Sequence, residues 1–174
     1  RFHDPMDDLK PKLKNIIHET HGRGGTILIP AFAYGRTQEL LYMLHELYND
    51  GEVPRMPIYV DSPLASKITR VFGEHPEVFD VDTHKTFLER GQNPFFFKQV
   101  HFVSSVEESM ALMRDETPHI VVSASGMCEA GSALAIMGNH EYNAVCYHTP
   151  DGNGGHLRPR EPKNRSQHAA TLSE

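Results

Sequence analysis

Tryptophan is absent from this chain and cysteine nearly so, with Cys128 and Cys146 the only thiols among 174 residues. Two thiols cannot build the disulfide framework of a small secreted domain. With no Cys-x-x-Cys pair they do not make a cysteine-based zinc site either. No apolar run approaches the ~18 residues a membrane span requires, and no charged-then-apolar leader opens the chain. The expectation is a reduced, cytoplasmic protein with no membrane contact. Positive charge is also scarce: 17 Lys and Arg stand against 23 Asp and Glu, a net charge of −6. Nucleic-acid contact must then come from local groups, not from a basic surface. Gly-Lys-Ser/Thr and Gly-x-Ser-x-Gly are both missing, which excludes a Walker phosphate loop and a nucleophile elbow. No internal repeat or heptad is present.

What is present is long enough for one domain with a real core, or one domain and part of another. The first residue is Arg1, not Met, which suggests a fragment of something longer. Twelve histidines raise the question of metal chemistry. Composition divides the chain. Acids outnumber bases ahead of residue 131 and balance them afterwards. From Thr149 to Glu174 the apolar residues are Leu157, Ala169, Ala170 and Leu172, too few to offset the entropy of ordering the segment. It is expected to be a largely irregular tail.

Ahead of that tail, apolar periodicity alternates between helix and strand. Leu9, Leu13, Ile16 and Ile17 predict a helix over Asp7–His21, with Pro11 tolerable in its first turn and Gly22, Gly24 and Gly25 ending it. Thr26–Ile29, Ile58–Val60, Val100–Val103 and His119–Ser123 predict short buried strands. Leu40, Leu41, Leu44 and Leu47 predict a helix over Thr37–Tyr48. Pro63 opens a helix to Phe72, and Ser105 with Glu108 forms a capping box ahead of a helix to Arg114. Glu74–Gly91 is expected to be irregular and helical, with Phe79 and Phe87 inward. This is a three-layer α/β fold, a Rossmann-like parallel sheet flanked by helices.

Ligands of such sheets bind at the carboxyl ends of the strands, here Pro30–Arg36, Asp61–Ala65 and Ala124–Gly131. The first loop can hold an anion at a helix start, with Arg36 adding a planar fork for phosphate; the alternative is an ordinary turn in which Arg36 pairs with Glu39. Asp61 is a candidate metal or proton holder and, more often in such a position, a helix cap. Ser123, Ser125 and Gly126 can form an anion nest or an ordinary turn.

Gly24-Gly25, the run from Ile29 to Leu41, Val60-Asp61-Ser62-Pro63-Leu64-Ala65 and Ser123-Ala124-Ser125-Gly126-Met127-Cys128-Glu129-Ala130-Gly131 together resemble the β-CASP domain of metallo-β-lactamase-fold ribonucleases. The resemblance covers residues 1–131. It implies an α/β cap over a lactamase half whose two zinc ions activate water to cut a phosphodiester, with single-stranded RNA between the two. It also implies that Arg36, Ser62, Ser123, Ser125, Gly126 and Met127 face the RNA backbone, and that Phe32 stacks or, as expected, packs in the core. The family's His-x-His-x-Asp-His zinc cluster is absent, so this chain alone is expected to bind no cofactor and to need the missing metallo-β-lactamase half. His18 and His21 share a helix face, where they are expected to be exposed histidines and not metal ligands.

From Ser132 to Glu174 the pattern changes. Gly138-Asn139-His140-Glu141 resembles the corresponding block of calcineurin-type metallophosphoesterases, which implies Asn139 as a metal ligand and His140 as a catalytic residue. That family's earlier metal-binding blocks are missing, so no complete catalytic set is present. Ile136-Met137 is expected to run as a strand into Gly138. The chain therefore reads as two pieces joined near Gly131–Ser132, whether as a chimera, a recombined reading frame or a gene-model error. Three functions follow: an RNA-binding cap fragment of a ribonuclease, inactive alone; a non-catalytic interaction module; or a metallophosphoesterase-like fragment that needs ligands from elsewhere. Self-association through an exposed sheet edge is also expected.

Overall fold

A computed structural model describes residues 6–124, together with the backbone at 144–145 and 158–159. The order of elements is α1 (Met6–Gly22), β1 (Ile27–Pro30), α2 (Arg36–Asn49), β2 (Ile58–Asp61), α3 (Pro63–Glu74), α4 (Val81–Thr86), β3 (Val100–Phe102), α5 (Val106–Leu112), β4 (Ile120–Ser123), β5 (Ala144–Val145) and β6 (Arg158–Pro159), with single 3-10 turns on either side of α4. The strands lie in the order β3-β2-β4-β1-β5-β6. The first five run parallel, and β6 is antiparallel to β5.

Strand periodicity sorts the core into two layers. Ile27, Ile29, Ile58, Val60, Ile120 and Val122 face α1 and α2, where they meet Leu13, Ile17, Leu41, Leu44 and Leu47. Leu28 and Val121 point the other way, toward Leu112 of α5 and Val103, with Tyr59 packed alongside. The alternation follows from the two-residue repeat of a strand. Both faces are covered, which is why β1 and β4 are unbroken buried runs.

Element boundaries match the periodicity to within a few residues, with the expected glycine stop after α1 and two informative differences. Helix α1 starts at Met6, so Pro11 lies inside it and past the first turn, where the missing amide gives up a bond to residue 7. Gly24, at φ 70°, reverses the chain after α1, and the Gly25 amide then donates to the Thr20 carbonyl at 2.9 Å. At α5 the Ser105 hydroxyl accepts the Glu108 amide as expected, but the Glu108 carboxylate reaches one residue further back, to the Ser104 amide at 2.8 Å.

The segment after α3 folds back over α2. Phe87 is fully buried and Phe79 half-buried against the main core. His45 of α2 is buried, stacked on Phe97 with ring centroids 4.0 Å apart and 4.6 Å from Phe87, and its Nδ1 lies 3.1 Å from the Pro94 carbonyl. Nearby, the buried Tyr48 hydroxyl donates to the Met56 carbonyl at 2.9 Å, and burial pushes that phenol far up. Burial, with the Arg55 charge adding to it, holds the His45 imidazole below its ordinary 6.5. A proton therefore binds the unfolded chain more readily than the folded one below that value. Stability is expected to fall as the pH drops through and below about 6.5. His45→Phe should flatten that part of the profile in urea unfolding; an equally steep profile in the variant would contradict the assignment.

Candidate functional site

Strand β4 lies between β1 and β2, and the register places Ser123 beside both Pro30 and Asp61. The loops that leave β1 and β2 therefore start from adjacent positions at the carboxyl edge of the sheet, where β4 also ends.

The first of these loops is tied to α2 by buried polar side chains. Thr37 donates from its hydroxyl to the Phe32 carbonyl at 2.8 Å. Gln38 accepts the Gly35 amide on Oε1 at 2.7 Å, and its Nε2 donates to the Ala33 carbonyl at 3.2 Å and to Thr69 Oγ1 of α3 at 2.7 Å. Gly35 takes a φ of 79° here, a conformation that disfavours a side chain. The Arg36 and Thr37 amides donate to the Tyr34 and Phe32 carbonyls, so two donors of the helix start are turned onto the loop itself. The Arg36 guanidinium, half-exposed, pairs with Glu39 at 2.7 Å.

The second loop differs from expectation at its cap. Ser62, not Asp61, caps α3, its hydroxyl oxygen accepting the Ala65 amide at 3.2 Å. Asp61 is the last residue of β2, so its side chain points to the α5 face, where the buried carboxylate accepts the Ser109 hydroxyl at 2.8 Å. The Ser123 hydroxyl is buried too, 3.2 Å from the Ala124 carbonyl and 3.4 Å from that of Asp61. Ser125, Gly126, Met127, Asn139, His140 and the Ile136–Met137 strand lie outside the described residues.

Phe32 departs from expectation as well. It is 42% exposed, and Tyr34 is 72% exposed, while Ala31 between β1 and the loop takes the inward position. His18 is on the surface with its Nε2 donating to the Glu52 carbonyl at 2.7 Å. Among the described residues no group of three or more His, Cys, Asp or Glu is placed to hold a metal ion, and no helix is long and apolar enough to cross a membrane.

Residues 37–144, more than half of the chain, match the Beta-Casp domain model. The chain belongs to the Beta-Casp family. Its relatives include the transcription termination factor FttA of Methanosarcina mazei, 32% identical over 133 residues that make up 76% of this chain and 21% of that protein. Ribonuclease TTHA0252 of Thermus thermophilus is 36% identical over 135 residues, 77% of this chain and 30% of that protein. Endoribonuclease ysh1 of Schizosaccharomyces pombe is 34% identical over 136 residues, 78% and 17%. This Beta-Casp chain thus spans between a sixth and a third of the length of these relatives.

The residue pattern names Arg36, Ser62 and Ser123 as candidate contacts and does not single out Gln38, Thr69 and Ser109, whose side chains tie the loops to the helices. Thr69 and Ser109 lie within helices and bond to residues of other elements, which leaves no local signal; Gln38, third in α2, reaches back to the Gly35 amide, and a glutamine three residues after a helix cap is the signal that marks it. Gln38→Ala removes two hydrogen bonds to the β1–α2 loop and one to Thr69 of α3. It is expected to cost ~1–3 kcal/mol in chemical denaturation and to speed hydrogen exchange at the Gly35 amide. Unchanged exchange there would contradict the anchoring role.

Proposed function

We propose that this Beta-Casp domain is an RNA-binding cap of a metal-dependent ribonuclease, inactive alone, whose partner is a metallo-β-lactamase half. The supporting observation is the gathering of the β1 and β2 loops around the end of β4, in a chain whose relatives carry the names ribonuclease and endoribonuclease. Arg36 supplies the phosphate contact. Its ion pair with Glu39 is a half-exposed i,i+3 pair, worth about 0.3–0.5 kcal/mol, less than a bidentate arginine–phosphate contact provides. Ser62 holds the start of α3, and Ser123 leads into Ser125, Gly126 and Met127, which complete the anion-binding edge in this reading. The described residues do not fit a zinc centre, so no hydrolytic step is assigned to them.

The finer readings extend this proposal. The low cysteine content supports a cytoplasmic location. Strand β3, at the edge of the sheet, is the place for self-association. The Gly138–Glu141 block lies within the residues that match the Beta-Casp model, which weighs against a chimeric junction at Gly131–Ser132; a metallophosphoesterase-like role would have Asn139 ligating metal only alongside residues from elsewhere. Metal analysis that finds no binding removes that last role. A second reading, a non-catalytic interaction module, is favoured by the loop carbonyls that occupy the first α2 amides and by the exposed Leu64 and Val71 of α3.

A fluorescence titration with short single-stranded RNA at several salt concentrations separates the two. The ribonuclease-cap reading expects affinity that falls with salt, with a slope reduced by about one in Arg36→Ala. No binding at low salt overturns it in favour of the interaction module.

A further inference from the structure

We propose that the β1–α2 loop is a base-stacking platform on which Phe32 and Tyr34 take the faces of successive bases of a single RNA strand. The inference rests on the RNA-binding reading above and adds to it a contact with the bases, where the residues named there contact only the backbone. Phe32 and Tyr34 are 42% and 72% exposed, although each is large and apolar enough to belong inside. They alternate with Ala31 and Ala33, which the core claims or packs. The backbone that displays them is fixed at three carbonyls and amides by Thr37 and Gln38. Tyr34 also packs against Phe72 of α3, with ring centroids 5.9 Å apart and the rings inclined at 66°. Rings held outward on a rigid turn lose little entropy when a base stacks on them.

Charge identifies the occupant. Helix α3 lies against this loop through the Gln38–Thr69 bond and the Tyr34–Phe72 contact. It exposes Lys67 and Arg70 and carries no acid before its last residue, Glu74, within a chain of net charge −6. Arg36, paired with Glu39, is a third cation where the loop enters α2. Exposed aromatic rings with cations on the adjoining helix are what a single strand needs: stacking for any base and charge for its phosphates.

The test compares an oligouridylate with an abasic oligoribonucleotide of the same length, titrated against the whole chain. The platform predicts tighter binding of the base-bearing strand, with a stacked base contributing roughly 5- to 150-fold. Tyr34→Ala and Phe32→Ala each reduce that preference without changing the salt slope, and Tyr34→Phe retains it. Both rings are exposed, so the alanine variants should keep the wild-type unfolding midpoint; a variant that loses it is replaced in the comparison by Tyr34→Ser. Salt-dependent binding that is equal for the two strands overturns the platform while leaving the RNA-binding reading intact. Absence of binding to either strand overturns both. Alanine variants that alter the mass in light scattering while leaving RNA affinity unchanged assign the patch to a protein contact and overturn the platform.

Discussion

The fold depends on the insertion of β4 between β1 and β2. Ile120, Val121, Val122 and Ser123 are all buried and find main-chain partners on both sides. Without that strand, β1 and β2 would share only their apolar cover and no main-chain bonds, since neither pairs with the other. The insertion aligns Pro30, Asp61 and Ser123 across the sheet. Every feature of the candidate site follows from that alignment: the loops of β1 and β2 leave the sheet at the same height, one strand apart from each other.

Alignment alone would bring together three flexible turns. What makes them definite is a set of buried polar side chains placed just where the apolar core ends. Gln38 and Thr69 join α2 to α3, Ser62 starts α3, and Asp61 joins β2 to α5 through Ser109. Each bond lies in a poorly solvated place, where a missing partner would be costly. The described residues leave no buried side-chain donor or acceptor unpaired. The loops are therefore rigid extensions of the sheet, and the residues they display, Arg36, Phe32 and Tyr34, are presented in fixed directions.

Most of the architecture could be read from residue spacing. Runs such as Thr26–Ile29 and His119–Ser123 are too short and too apolar for anything but strands buried on both faces, and the leucine spacing of α2 admits only a helix. Three local features could not be read. Asp61 and Ser62 are both good caps, and only the strand register shows that the aspartate faces α5 while the serine meets the Ala65 amide. Phe32 looked like core because it is large and apolar, but a turn at Gly35 and a small residue at Ala31 leave it outside. The Gln38–Thr69 and Ser109–Asp61 bonds span 31 and 48 residues, a separation over which no local pattern carries information. The family was legible because its signature is carried by the very loops that the strands bring together.

The position of β4 also has a consequence in time. The strand that holds the sheet together is the last of the first four to leave the ribosome, so β1 and β2 are synthesised long before the element that joins them. During that interval each exposes an apolar strand with unpaired amides and carbonyls, the kind of surface that captures other chains. Helices α1 and α2 can cover one face of β1 early, but neither can satisfy its edges. The domain thus passes through a nascent stage in which its centre is open, and chaperone dependence would concentrate in the synthesis of residues 31–119.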